Sequence, residues 1–78
     1  MAREQTVRIL AEMVANVIVV EVSVDDRIAP GDTVCLMESM KMEIPVLSEE
    51  GGVVSAIKVA PGDVVQEGDV LVELTAPR

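Results

Sequence analysis

The sequence predicts an all-β protein: eight short strands in two four-stranded antiparallel sheets, packed as a flattened barrel or sandwich with a quasi-twofold internal repeat. Three observations predict it. Sixteen of the 78 residues are valine, and β-branched side chains suit a pleated surface better than a helix. No stretch keeps a helical period, whereas apolar runs of strand length alternate with Gly, Asp and Pro turns. The chain also matches itself after a shift of 37 positions: Val17 falls on Val54, Val22 on Val59, Asp26 on Asp63, Gly31 on Gly68 and Asp32 on Asp69. Val20 with Ile57, Ile28 with Val65 and Val34 with Leu71 are conservative matches in the same register. The paired Gly-Asp turns favour a duplicated β-unit over a meander with regularly spaced turns.

The elements follow in order. Residues 6–10 form a first strand, overlapping an amino-terminal lead-in and edge strand at 1–8. A second runs over 17–24, with Val20, Val22 and Val24 on one face and Val19, Glu21 and Ser23 on the other. Residues 33–39 and 43–47 form two more, and 53–59 and 70–74 the last pair, followed by a short tail at 75–78. Ile28 and Val65 sit in two very short linking strands. Turns fall at Asp25-Asp26, Pro30-Gly31-Asp32, Glu50-Gly51-Gly52, Pro61-Gly62-Asp63 and Gly68-Asp69. Residues 1–78 are expected to make a single domain.

Composition narrows the function. There is no aromatic residue, so the core must be aliphatic. One Cys and no His exclude an internal disulfide and disfavour a zinc site. A net charge of -8 argues against nucleic acid and against acidic membrane surfaces. It suits encounter with a basic protein cleft. No apolar run reaches membrane-spanning length. The first residues lack the apolar stretch of a signal peptide, so a cytoplasmic location is expected.

One segment stands apart: Glu38-Ser39-Met40-Lys41-Met42-Glu43. Only two lysines exist, Lys41 and Lys58. Lys41 falls at the boundary between the two repeats, between the strands at 33–39 and 43–47, so it is expected at an exposed hairpin tip. Two-residue hairpins prefer Asn-Gly or similar pairs that tolerate positive φ, and Met40-Lys41 is neither. A wider turn carrying a merely solvated lysine is the plain alternative. The flanking methionines and the position at the repeat boundary point instead to a place where a group is attached.

These residues resemble the biotin-attachment motif of the biotinyl (biotin/lipoyl attachment) domain family, whose usual form is Glu-Ala-Met-Lys-Met. The likeness spans about 9–74 and includes both Gly-Asp turns and the Gly-Gly before Val53. Within the family the chain is similar to small stand-alone biotinylated carriers of actinobacterial type. The resemblance implies the hammerhead-like flattened barrel with the modified lysine on a tight turn. It implies covalent biotin, joined as an amide to Lys41 when the neutral amine attacks biotinyl-adenylate held by a biotin protein ligase. Glu38, Ser39, Met40 and Met42 then form the recognition motif. It further implies partners: a biotin carboxylase that loads the arm using ATP and bicarbonate, and a carboxyltransferase that unloads it. The chain would be a carrier and not an enzyme. Lipoyl domains share the fold and often an acid at the position of Glu38, but their lysine is usually flanked as Asp-Lys-Ala. Met40 and Met42 therefore favour biotin. A biotin acceptor or interaction module without a dedicated carboxylase is a third reading.

There are departures from the family pattern. Ser39 replaces Ala, a small-for-small change. Ala11-Glu12-Met13-Val14-Ala15 stands for Ala-Pro-Met-Pro-Gly, which puts the backbone at Ala15 in question. Asp25 occupies a turn position usually held by Gly, where Asp tolerates the left-handed region. The protruding loop of some acetyl-CoA carboxylase carriers is absent. Elsewhere, Cys35 reads as a buried reduced thiol, Lys58 as a solvated strand residue, and Asp26, Asp32, Asp63 and Asp69 as turn caps.

Overall fold

A computed structural model describes residues 4–77 of the chain. Among the described residues there are eight strands and no helix: β1 (Glu4–Leu10), β2 (Ala15–Val20), β3 (Arg27–Ile28), β4 (Thr33–Ser39), β5 (Met42–Leu47), β6 (Gly52–Ile57), β7 (Val64–Val65) and β8 (Val70–Pro77). They form two antiparallel four-stranded sheets, ordered β1-β8-β6-β3 and β5-β4-β2-β7. Adding 37 to each residue number turns β1 into β5, β2 into β6, β3 into β7 and β4 into β8. It also turns one sheet order into the other, so the repeat read in the sequence is the symmetry of the fold.

The hydrogen bonds repeat with the same shift. Asp25 N–H donates to the Val54 carbonyl and Gly62 N–H to the Val17 carbonyl, both at 2.8 Å. Val54 N–H returns a bond to Asp26 O, and Val17 N–H to Asp63 O, again at 2.8 Å. Each turn of one half is thus tied to a strand of the other half, and each sheet mixes strands of both. Neither half buries its apolar face alone.

The four turn aspartates act as caps. The Asp26 carboxylate accepts from Ser23 N–H and that of Asp63 from Ala60 N–H, at 2.8 and 2.9 Å. Asp32 and Asp69 accept from Ala29 and Gln66 N–H, each at 2.8 Å. These local bonds offer the backbone an alternative to the ladder, and they explain where two strands stop. The second and sixth strands, expected at 17–24 and 53–59, end at Val20 and Ile57. Val24 does not share a buried face with Val20 and Val22; it lies in the turn and is 51% exposed. The expected tail at 75–78 is also corrected. Thr75 and Ala76 pair with Thr6 and Gln5 and extend β8 to Pro77. Residues 1–3 of the amino-terminal lead-in, and residue 78, lie outside the described residues.

Turn geometry follows the repeat. Gly31 and Gly68 are mates, with φ of +92° each. Asp25 (φ +79°) takes the place that Gly62 (φ +97°) holds in the second half, a conformation Asp adopts more readily than most residues. Ala15 is accommodated without positive φ, buried in β2 opposite Val65. Its mate Gly52 has no such freedom, because a Cβ there would lie 2.7 Å from the Thr75 carbonyl oxygen.

The core is aliphatic and joins both sheets. Val34, Cys35, Val54, Leu71, Val72 and Leu74 are fully buried, and Met37 nearly so. Consecutive residues Val34 and Cys35 both point inward because the β4–β5 register shifts between Thr33 and Cys35. Leu71 and Val72 repeat this where the β1–β8 register shifts beside Val70 and Val72. Such bulges let two neighbouring side chains face the same side. The free Cys35 thiol is buried, and burial, with a smaller contribution from the Glu21 charge, pushes its pKa up.

The molecule measures 46 × 18 × 18 Å. A seven-residue strand spans roughly 23 Å, about half the long axis. The β4–β5 hairpin therefore closes one pole, and the paired ends of β1 and β8 at Glu4 and Pro77, its symmetry counterpart, lie at the other.

Candidate functional site at the hairpin pole

β4 and β5 pair in register up to Glu38–Glu43 and Ser39–Met42. That leaves Met40 and Lys41 alone to turn the chain. Both have positive φ, +54° and +66°, as a type I′ hairpin demands of its two central residues. Neither residue suits it: a non-glycine residue in the left-handed region costs on the order of 1 kcal/mol or more. The wider turn with ordinary geometry is not what forms.

The side chains at the tip are turned outward. Met40 is 92% exposed and Met42 65%, so neither serves as packing at a strand end. Lys41 is exposed, and among the described residues the only ion pair is Arg8–Glu73 at 3.2 Å on the other sheet. The Lys41 amine is therefore presented without a carboxylate partner, although Glu38 and Glu43 stand three and two residues away. Those two carboxylates are directly opposite each other across the ladder, an arrangement that destabilises a strand pair. Ser39 is half-buried just below the turn. Glu38, Ser39, Met40, Lys41 and Met42 thus lie together at one pole of the molecule.

Two residues at this pole were not assigned to the site from the sequence, although Val14 lies in the 11–15 segment that departs from the family pattern. Val14 and Val64 are 55% and 62% exposed. With Asn16, Glu38, Met40 and Lys41 they line a shallow groove of about 280 Å³ beside the tip. One signal could have found them. Under the 37-residue shift Val14 falls on Gly51 and Val64 on Arg27, so the apolar pair exists at this pole and not at the other. Lys58 is exposed just past the end of β6. No group of His, Cys, Asp and Glu suited to a metal occurs among the described residues.

The tip thus carries an exposed lysine on strained backbone, beside outward apolar side chains. Comparison with known proteins identifies the family. The family model for "Biotin-requiring enzyme" (biotin/lipoyl) matches residues 7–74. The chain is 54% identical over 61 residues to the biotinylated protein TB7.3 homolog of Mycobacterium leprae, covering 78% of this chain and 86% of that one. It is 45% identical over 64 residues to the biotin/lipoyl attachment protein of Bacillus subtilis, covering 82% and 88%. Among solved structures, Kluyveromyces lactis urea carboxylase contains a similar fold, with a TM-score of 0.84 and 27% identity over 90% of this chain and 6% of that one. The chain belongs to the biotin/lipoyl attachment domain family and is related to the carrier domains of biotin-dependent carboxylases.

Proposed function

We propose that the chain is a biotin carrier in which Lys41 is biotinylated by a biotin protein ligase, the arm then carrying carboxyl groups between a biotin carboxylase and a carboxyltransferase. The observation that supports this best is the Met40-Lys41 turn, which holds the amine outward, free of carboxylate partners and between two exposed methionines. In the attachment step the neutral Nζ of Lys41 attacks the acyl carbon of biotinyl-adenylate. An N–C bond forms, the acyl–phosphate bond breaks, AMP leaves and the amine gives up a proton. The side chain becomes a neutral amide. When attached, biotin supplies a ureido nitrogen able to accept and release a carboxyl group.

The chain contributes placement. The two-residue loop fixes the direction of the Lys41 stem, and the eight-stranded barrel keeps the tip clear of the body. Met40 and Met42, unbranched and polarizable, adapt to more than one partner surface. Val14 and Val64 extend that apolar surface beside the lysine. Tethering raises the effective concentration of the arm at both partner sites. The chain is a non-catalytic carrier in this reading.

The test couples attachment to loading. The purified chain is treated with a biotin protein ligase, biotin and ATP, then with a biotin carboxylase, ATP and labelled bicarbonate. Acid-labile label on the protein is expected only after biotinylation. Modification by a lipoate ligase in preference to the biotin ligase would assign it to lipoyl chemistry. Biotinylation without any loading would leave an acceptor module rather than a carboxyl carrier.

A further inference from the structure

We propose that a second surface, a cleft at the waist of the molecule, docks an extended segment of a partner protein bearing alternating apolar and basic side chains. The cleft encloses about 760 Å³ between β1 and β5, within the range of sites that hold ligands. Met37 lies at its floor, buried. Leu10, Leu47 and Met13 stand at its mouth, 45%, 51% and 42% exposed. Leu10 and Leu47 are symmetry mates, so the cleft straddles the pseudo-twofold axis and draws on both halves. The attachment motif at 38–42 takes no part in it, and the proposal does not depend on what Lys41 carries.

Two features specify the occupant. The first is backbone. Among the described residues β1 is bonded only to β8, and β5 only to β4, so each is an edge strand with unpaired N–H and C=O groups. β5 is blunted by Pro45, which has no N–H to offer. β1 is seven residues long with no proline, and it is the edge to which an added strand pairs. The second feature is charge. Glu12, Glu49 and Glu50 line the cleft and are exposed. Its one basic residue, Arg8, is already engaged by Glu73 at 3.2 Å. The uncompensated charge is negative, which disfavours a second copy of this chain, itself at -8, and favours lysine or arginine at the margins of an apolar strand. Leu47 lies six residues from Lys41, about 20 Å along the strand at roughly 3.3 Å per residue. A partner seated at the waist leaves the tip free to reach another protein.

The test uses the isotope-labelled full chain and two short synthetic peptides, one alternating valine with lysine and one alternating valine with glutamate, followed by amide chemical shifts. The valine–lysine peptide is expected to move the amides of residues 7–10 and 46–50 and to leave Met40 and Lys41 in place. The valine–glutamate peptide is expected to bind at least about tenfold more weakly. Leu10→Ser with Leu47→Ser should weaken the valine–lysine complex about tenfold. If that variant fails to fold, Glu12→Gln with Glu49→Gln and Glu50→Gln, all exposed, should erase the preference between the peptides. No shift at the waist, shifts spread evenly over the acidic surface, shifts centred on the tip, or self-association through the waist would each overturn the proposal.

Discussion

The two poles of this molecule are built from the same plan and differ in what they can tolerate losing. At the pole where β1 begins and β8 ends, Thr6 faces Thr75 across the ladder, a pairing that strands favour. At the hairpin pole the mates of these residues are Glu43 and Glu38, two like charges face to face. Arg27 and Gly51 at the first pole become the exposed Val64 and Val14 at the second. Strain is added to these: Met40 and Lys41 both have positive φ. For the facing glutamates and the two exposed valines the repeat supplies a quieter version elsewhere in the same chain. The hairpin pole is therefore where stability yields to display. Internal symmetry serves here as a control that a single sequence otherwise lacks.

The largest effect should show that the two halves are energetically equivalent in the core. Met37 and Leu74 are mates, both almost completely buried. Met37→Ala and Leu74→Ala should each cost about 2–5 kcal/mol, measured by urea denaturation, and agree within about 1 kcal/mol. A much smaller loss for Met37→Ala would break the equivalence of the halves. Next comes the turn. Replacing Met40→Asn together with Lys41→Gly installs the pair that a type I′ turn prefers, and should stabilise the chain by about 1–2 kcal/mol while removing the attachment point. A loss of stability would mean that the tip is not strained.

A third difference lies inside. Cys35 is the mate of Val72, and its folded pKa is raised by burial. The unfolded thiol ionises near pH 8.5. Between that pH and the higher folded value, the unfolded chain releases a proton that the folded chain keeps. Stability attributable to Cys35 is thus complete below about pH 8.5 and declines above it, by up to about 1.4 kcal/mol per pH unit. Cys35→Val, which restores the symmetric residue, should remove that part of the alkaline decline in denaturation midpoints. The smallest effect concerns the facing carboxylates. Glu38→Thr with Glu43→Thr copies the other pole and should stabilise by about 0.2–1 kcal/mol, less at high salt. The same double variant should slow biotinylation if Glu38 is a cue for the ligase.

Much of this was legible in the sequence because turns write themselves in few residue types. Gly31, Gly68, Asp26, Asp63, Asp32 and Asp69 marked the repeat, and the repeat placed Lys41 at a hairpin tip. Strand ends were less legible. Val22 and Val24 continue an apolar alternation, yet the Asp26 carboxylate captures Ser23 N–H and starts the turn early. The adjacent burial of Val34 with Cys35 and of Leu71 with Val72 escapes a period-two reading because bulges shift the register. The apolar pair formed by Val14 and Val64 escaped notice for another reason: single valines in a valine-rich chain carry no signal until their mates, Gly51 and Arg27, are set beside them.

The central claim is that the strained tip, and not mere exposure of a lysine, defines the place of attachment. The chain contains its own control, since Lys41 and Lys58 are its only lysines and both are exposed. Intact mass after treatment with a biotin protein ligase, biotin and ATP should show one added biotinyl group on the parent chain and on Lys58→Arg, and none on Lys41→Arg. A biotinyl group retained by Lys41→Arg, or lost from Lys58→Arg, would contradict it.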